Sequence, residues 1–182
     1  MNRYFIGIFL LLGILFSVLF VYNKTEFLQS PELQMTVVSN FEELGIPKKY
    51  TADDININPP LTINNIPRET KTLAIIMEDV DTPQDHWVHW IVLIPVDNTN
   101  NIVIEENQLP DGSIIGMNSW KEKKYLGPDP KIGTGTHRYF FTVYALKKTF
   151  DPYQTYEKHT LESEMKGFII QKAEILGVYK RL

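Results

Sequence analysis

The sequence predicts a mainly β domain carried behind an apolar N-terminal helix. Three observations lead there. Thr72–Glu78 (TLAIIME), His86–Pro95 (HWVHWIVLIP) and His137–Leu146 (HRYFFTVYAL) have the length and the β-branched and aromatic content of strands. Only one stretch, from Leu161 onward, shows helical spacing. The connections are dense in Asn, Asp, Pro and Gly, as in a sandwich or a closed sheet.

Taken in order, residues 1–3 read as a cytoplasmic N-terminus and residues 4–22 as a transmembrane signal anchor or a signal peptide. Tyr4 to Tyr22 is free of charge, and a helix of that length spans roughly 28 Å, close to a bilayer's hydrocarbon core. Arg3 before it favours a cytoplasmic N-terminus. The bulky residues from Val18 to Tyr22 do not form the small-residue pattern of a cleavage site, which favours the anchor over a cleaved signal. The domain is therefore expected outside the cytoplasm: a single-pass membrane protein, or a secreted or periplasmic one if the signal is cleaved. Residues 23–30 read as a tether, and 31–182 as the domain.

Within the domain, LQMTVVS alternates weakly as a first strand, and a short strand is expected near Leu61 to Ile63. Thr72–Glu78 reads as a buried strand, and His86–Pro95 as a strand ended by its proline. His137–Leu146 has aromatics on both sides of its period-two pattern, which predicts cover on both faces. Leu161, Met165, Phe168, Ile169 and Ala173 predict a helix with Thr160 as N-cap, and AEILGVYKR a closing strand.

Composition narrows the functions. The 182 residues are 43% hydrophobic and 22% charged, as in a globular protein. The net charge is −4, and without the first thirty residues 16 Lys+Arg face 21 Asp+Glu. Such an acidic domain is not expected to bind nucleic acid. With no cysteine, disulfides, thiolate nucleophiles and Cys-ligated zinc are excluded.

Three segments carry unusual chemistry. Asp79-Val80-Asp81-Thr82-Pro83 leaves a buried strand with two carboxylates two residues apart. They either project to one side as part of a site or accept backbone N–H bonds in a turn. In His86-Trp87-Val88-His89-Trp90, strict alternation puts Trp87 and His89 on one face and His86, Val88 and Trp90 on the other. A zinc pair on one strand needs a spacing of two, not three, so no metal site is expected. Tyr125–Tyr139 (YLGPDPKIGTGTHRY) is a constrained glycine loop whose N–H groups could cradle an anion. It lacks the Gly-Lys-Ser/Thr ending of a phosphate loop, and no serine sits in a nucleophile elbow.

In this order, Asp-x-Asp-x-Pro, His-Trp on a strand ending in Ile-Pro, Tyr-x-Gly-Pro-x-Pro and Gly-x-Gly-x-His-Arg-Tyr resemble the phosphatidylethanolamine-binding protein family. The likeness is to its short bacterial and archaeal Raf kinase inhibitor-like branch, and it runs from about Pro31 to the C-terminus. It implies a large antiparallel sheet packed on a smaller one, with a few peripheral helices. It also implies a small anion pocket lined by Asp79, Asp81, Pro83, Trp87, His89, Gly127, Pro130, His137 and Tyr139. The family pocket takes phosphate-like anions, including the phosphoethanolamine head group. Val80, Thr82, Asp54, Asn58 and Lys131 depart from the family pattern, and Lys131 could add attraction for an anion.

The reading is thus a membrane-anchored, exported protein that binds an anion or phospholipid head group, with no catalytic residue, cofactor or metal. A zwitterionic ligand would reconcile two aspartates with an anion, its ammonium meeting a carboxylate. Two alternatives belong to other classes: an inhibitor acting on an envelope protease or other protein target, and a phosphoester hydrolase with Asp79 or Asp81 as base.

Overall fold

The computed structural model describes residues 33–41, 45–83 and 86–182. The expected N-terminus, anchor and tether, residues 1–30, lie outside them. Among the described residues no helix is long and apolar enough to cross a membrane.

β1 (Thr36–Val38), β2 (Leu61–Asn64) and β5 (Asn101–Ile104) form a three-stranded sheet in the order β1-β2-β5. β3 (Thr72–Asp79), β4 (Trp87–Pro95), β6 (Ile114–Ile115), β7 (His137–Leu146) and β8 (Ile169–Tyr179) form the larger sheet, ordered β6-β4-β3-β7-β8. Every strand pair is antiparallel. The helix α1 (Lys158–Met165) packs on the far side of the large sheet. This is the mainly β, two-sheet architecture that the resemblance implies, with one α-helix among the described residues where a few peripheral helices were expected.

The apolar pattern explains the layering. Leu73, Ile75 and Met77 of β3, Val92 and Ile94 of β4, and Phe141, Val143 and Ala145 of β7 meet Val37, Leu61, Ile63 and Ile104 of the small sheet in one buried cluster. The opposite face of the large sheet gives Ala74, Ile76, Ile91, Leu93 and Leu146 to a second cluster, closed by Tyr156, Leu161 and Met165. Two layers of core around one sheet leave β3 without an exposed residue.

In β4 strict alternation fails beside the polar end of the sheet. Met77 faces Trp90 and Glu78 faces Val88, so His89 is the extra residue of a β-bulge. Trp90 consequently packs in the inter-sheet core with Val92 and Ile94, while Val88 packs on the outer face with Ile91 and Leu93. The expectation that Trp90 lies opposite His89 is corrected: an extra residue resets the parity of the pleat.

Three further expectations change. The helix covers Lys158–Met165 with Glu157 at its N-cap, so Thr160 lies inside it. Gly167 at φ +83° ends it, and Ile169 and Ala173 belong to β8, whose long ladder with β7 outweighs their helical spacing. β7 is fully covered on its inner face only, since Arg138 is exposed and Phe140 and Tyr144 are half-buried. β5 and β6 have no sequence signal of their own, being short runs among turn residues.

Gly177 of β8 lies against Ile46 and Phe41. A Cβ there would sit 2.6 Å from Ile46 Cγ1 and 3.0 Å from Phe41 Cε2. Gly177→Ala is expected to cost about 1–3 kcal/mol by overpacking. Urea unfolding followed by circular dichroism checks this; an unchanged midpoint would show that the Ile46 and Phe41 side chains yield freely.

Candidate functional site

Antiparallel pairing decides which polar residues meet. β3 ends where β4 and β7 begin, and Asp79 stands opposite Trp87 on one side and Tyr139 on the other. The glycine loop runs directly into β7, so it closes the same end of the sheet. A pocket of about 220 Å³ opens there, with Asp79, Trp87, His89 and His137 on its strand side. Thr82 and Pro83 form the turn side, Asp129, Pro130, Lys131 and Thr134 the loop side, and Trp120 an aromatic flank.

At its base Asp79, His89 and His137 are all buried. Asp79 Oδ2 is 2.7 Å from His137 Nδ1, and Asp79 Oδ1 accepts the Asp81 N–H at 2.9 Å. His137 Nε2 lies 2.9 Å from Thr134 Oγ1, which is also 2.8 Å from the Lys131 carbonyl oxygen. The single hydroxyl proton serves one of these two partners at a time. When it goes to Lys131, His137 Nε2 can donate to the hydroxyl oxygen instead.

His89 is held differently. Its Nδ1 is 2.7 Å from the Leu126 carbonyl oxygen and 3.1 Å from that of Gly127. Carbonyls only accept, so Nδ1 carries the proton and Nε2 is left as the second functional atom. Burial lowers the pKa of His89 below its ordinary value, against the opposing pull of the Leu126 carbonyl and the Asp79 charge. A neutral ring with a lone pair on Nε2 follows. Trp120 and Tyr139 pack edge-on against it at 5.0 and 5.3 Å between centroids.

Six of the nine residues expected in the pocket line it: Asp79, Pro83, Trp87, His89, Pro130 and His137. The other three stand behind its walls. Asp81 turns to Arg138, with Oδ2 accepting from the backbone N–H at 2.8 Å and from Nε at 2.9 Å, and Oδ1 from Nη2 at 2.7 Å. The guanidinium lowers the carboxyl's pKa. Of the two carboxylates, one thus enters the pocket and the other ties its turn to β7. Burial, then the Asp79 charge, raise the Tyr139 phenol's pKa, so it stays protonated. Its hydroxyl is enclosed, with no hydrogen bond of ordinary geometry among the described residues.

Gly127 serves close approach rather than anion contact. Its N–H donates to Asn56 Oδ1 at 2.7 Å, and a Cβ would come within 1.9 Å of the Tyr50 carbonyl oxygen. The loop is pressed onto the single 3₁₀ turn Lys48–Tyr50, and this places the carbonyls that orient His89. Arg181 pins the same loop from the C-terminus. It pairs with Asp129 and holds Asp53, with Nε 2.7 Å from Asp53 Oδ1. Lys131 makes no ion pair among the described residues and is the pocket's available cation. No group of three or more His, Asp or Glu side chains among those residues is placed to hold a metal.

Thr82, Trp120, Asp129, Lys131 and Thr134 line the pocket without being among the nine residues expected there, and of these Trp120 lies outside the chemistry-bearing segments altogether. Asn118, itself buried, accepts the N–H groups of Trp120 and Glu122 through Oδ1, and Ser119 bonds Val88 through both its N–H and its Oγ. That turn swings Trp120 over Trp87 at 5.2 Å. Nothing local in Asn-Ser-Trp signals it, because the docking partner is thirty residues away in β4.

Comparison with known proteins agrees with this fold. The sequence profile described as "Phosphatidylethanolamine-binding protein" matches residues 34–180. A UPF0098 protein of Methanothermobacter thermautotrophicus is 40% identical over 148 residues, covering 78% of this chain and 95% of its own. Another, from Pyrococcus abyssi, is 37% identical over 140 residues, covering 75% and 79%. Among solved structures, a putative phosphatidylethanolamine-binding protein homolog of Chlamydia trachomatis superposes with TM-score 0.73 at 33% identity, covering 82% of this chain and 99% of that one. YbcL of E. coli, described as a member of the mammalian PEBP family, gives 0.73 at 25% identity over 82% and 100%.

Two substitutions separate the walls from their supports. Gly127→Ala is expected to cost about 3 kcal/mol or more, because backbone faces backbone. Asp81→Asn is expected to cost at most about 1 kcal/mol at neutral pH, since Arg138 is half-exposed. A lowered pKa stabilises above the ordinary carboxyl value, so the cost of Asp81→Asn should vanish as pH falls through the folded pKa of Asp81. Urea titrations at neutral and acid pH measure both.

Proposed function

The chain belongs to the phosphatidylethanolamine-binding protein family, and on that premise we propose that its pocket binds a phosphate-like anion, with the phosphoethanolamine head group as the fitting ligand. The observation that carries this reading is the pairing of buried Asp79, His89 and His137 at the pocket base with Lys131, in no ion pair among the described residues, at its mouth. Lys131 supplies donors for phosphate oxygens, and His89 does so once its Nε2 gains a proton. Asp79 and Asp129 keep acceptor lone pairs for an ammonium. Charge-assisted bonds of this kind contribute about 1.5–3 kcal/mol each, so a few of them give micromolar to millimolar affinity. In this reading the pocket binds rather than turns over its ligand, and residues 4–22 hold the domain at a membrane surface.

The fixed tautomer of His89 adds a chemical consequence. Its neutral Nε2 accepts, so it receives a P–O–H proton or must itself gain a proton to face a fully ionised anion. A bound anion raises the His89 pKa from its lowered value, and binding then takes up a proton. The affinity therefore rises as pH falls below the pKa of the bound state, and levels off below the lowered pKa of the free protein.

A second reading rests on one feature: Asp79, His137 and Thr134 stand in the order carboxylate, imidazole, hydroxyl. In a phosphoester hydrolase the Thr134 oxygen would attack phosphorus while its proton passes to His137 Nε2 and on to the leaving alkoxide.

Sulfate, which does not titrate near neutrality, tests the first reading. Its affinity should rise by up to about tenfold per pH unit between about pH 8 and about pH 6. His89→Ala should remove the slope, and calorimetry showing no sulfate or phosphoethanolamine binding at millimolar concentration would sink the proposal. Turnover of a phosphoester panel that disappears in Thr134→Ala would establish the second reading instead. For the anchor, the full chain should stay in the membrane pellet after alkaline carbonate extraction; a shortened, soluble product would point to a cleaved signal.

A further inference from the structure

We propose that the protein has a second binding pocket, for a small molecule carrying a carboxylate or phosphate group, at the end of the large sheet opposite the first. β3 enters the sheet there at Thr72 and leaves it at Asp79, so the two ends are roughly 23 Å apart at the usual rise of a strand. The second cavity has a volume of about 440 Å³, within the range of small-molecule sites. It rests on neither the anion reading of the first pocket nor its residues.

Three observations give the cavity its chemistry. Arg68 is its one ionisable lining residue, and among the described residues it is in no ion pair. Thr70 also lines it, is only 3% exposed, and has a buried hydroxyl without a hydrogen-bond partner. Buried polar atoms are nearly always satisfied by protein, water or ligand, so this hydroxyl has bonding capacity left for a water or a bound group at the cavity wall. Asn98 and Asn100 add amide side chains on the facing turn, with Asn98 at φ +48°.

The walls are already fixed. Ile66 N–H donates to the Asn100 carbonyl at 2.9 Å, and Val96 N–H to the Lys71 carbonyl at 3.0 Å. Thr70 N–H closes its own turn onto the Pro67 carbonyl at 3.0 Å. A guanidinium offers paired donors that match the oxygens of a carboxylate or phosphate. Ile66 and Val96 line the same cavity, which suits a ligand whose anionic head continues into a short apolar part. No acidic side chain lines the cavity to repel it.

Hydrogen–deuterium exchange of the full chain in detergent tests this, with inorganic phosphate and butyrate as separate millimolar probes that distinguish the two head groups. Peptides spanning 65–71 and 96–101 should exchange at least about threefold more slowly with one probe. Arg68→Ala, a surface change, should abolish that protection and leave any protection of residues 131–138 unaltered. Thr70→Val, which keeps the shape and removes the hydroxyl, should weaken it. No protection by either probe, or protection that persists undiminished in both variants, overturns the proposal.

Discussion

The short contact between Asp79 and His137 is the constraint on which the pocket depends. Both groups are almost wholly withdrawn from water, and an unpaired charge in that position would cost several kcal/mol. The structure meets the cost by making the pair part of a chain: the Asp81 N–H on one oxygen, the imidazole on the other, and Thr134 beyond it. Each link belongs to a different piece of backbone. The exit of β3, the start of β7 and the glycine loop are thereby held in one register, and the loop that carries Lys131 is fixed relative to the base it covers.

The bulge in β4 does the corresponding work for His89. A regular strand would have sent either His89 or Trp90 out of the inter-sheet space. With one extra residue, Trp90 fills the core against Tyr125 while His89 reaches the loop carbonyls. The ring is then locked by two carbonyls on one side and two aromatic edges around it. Gly127 completes this arrangement from the other direction, because only a residue without a side chain lets the loop touch the Tyr50 carbonyl. Orientation of one imidazole thus depends on a strand irregularity, a glycine and a 3₁₀ turn that are far apart in sequence.

Particular residues show how far the sequence could be read. β7 is found over His137–Leu146 as expected, and β3 and β4 differ from expectation by one residue at an end, since long apolar and aromatic runs leave few alternatives to a buried strand. The helix is misplaced because Leu161 and Met165 share their spacing with Ile169 and Ala173, and only the glycine at 167 and the partner strand tell them apart. Asp79 and Asp81 look equivalent in sequence. They separate because a salt-bridging partner, Arg138, lies beside one and a buried imidazole beside the other. Trp120 is silent for the same reason: its position comes from a turn docked on β4.

What the sequence by itself determined is the long central strands β3, β4 and β7, the family to which the chain belongs and the chemistry available at one end of the sheet. Those follow from local periodicity and from ordered motifs, both of which are linear properties. What only the tertiary structure decided is which of those groups face one another, which ring nitrogen is engaged, and that Arg68 and Thr70 share a second cavity. Such facts depend on strand pairing, a one-residue bulge and close backbone approach between distant segments. A change of one residue in register reverses which face a side chain occupies, and no local pattern fixes the register to that accuracy.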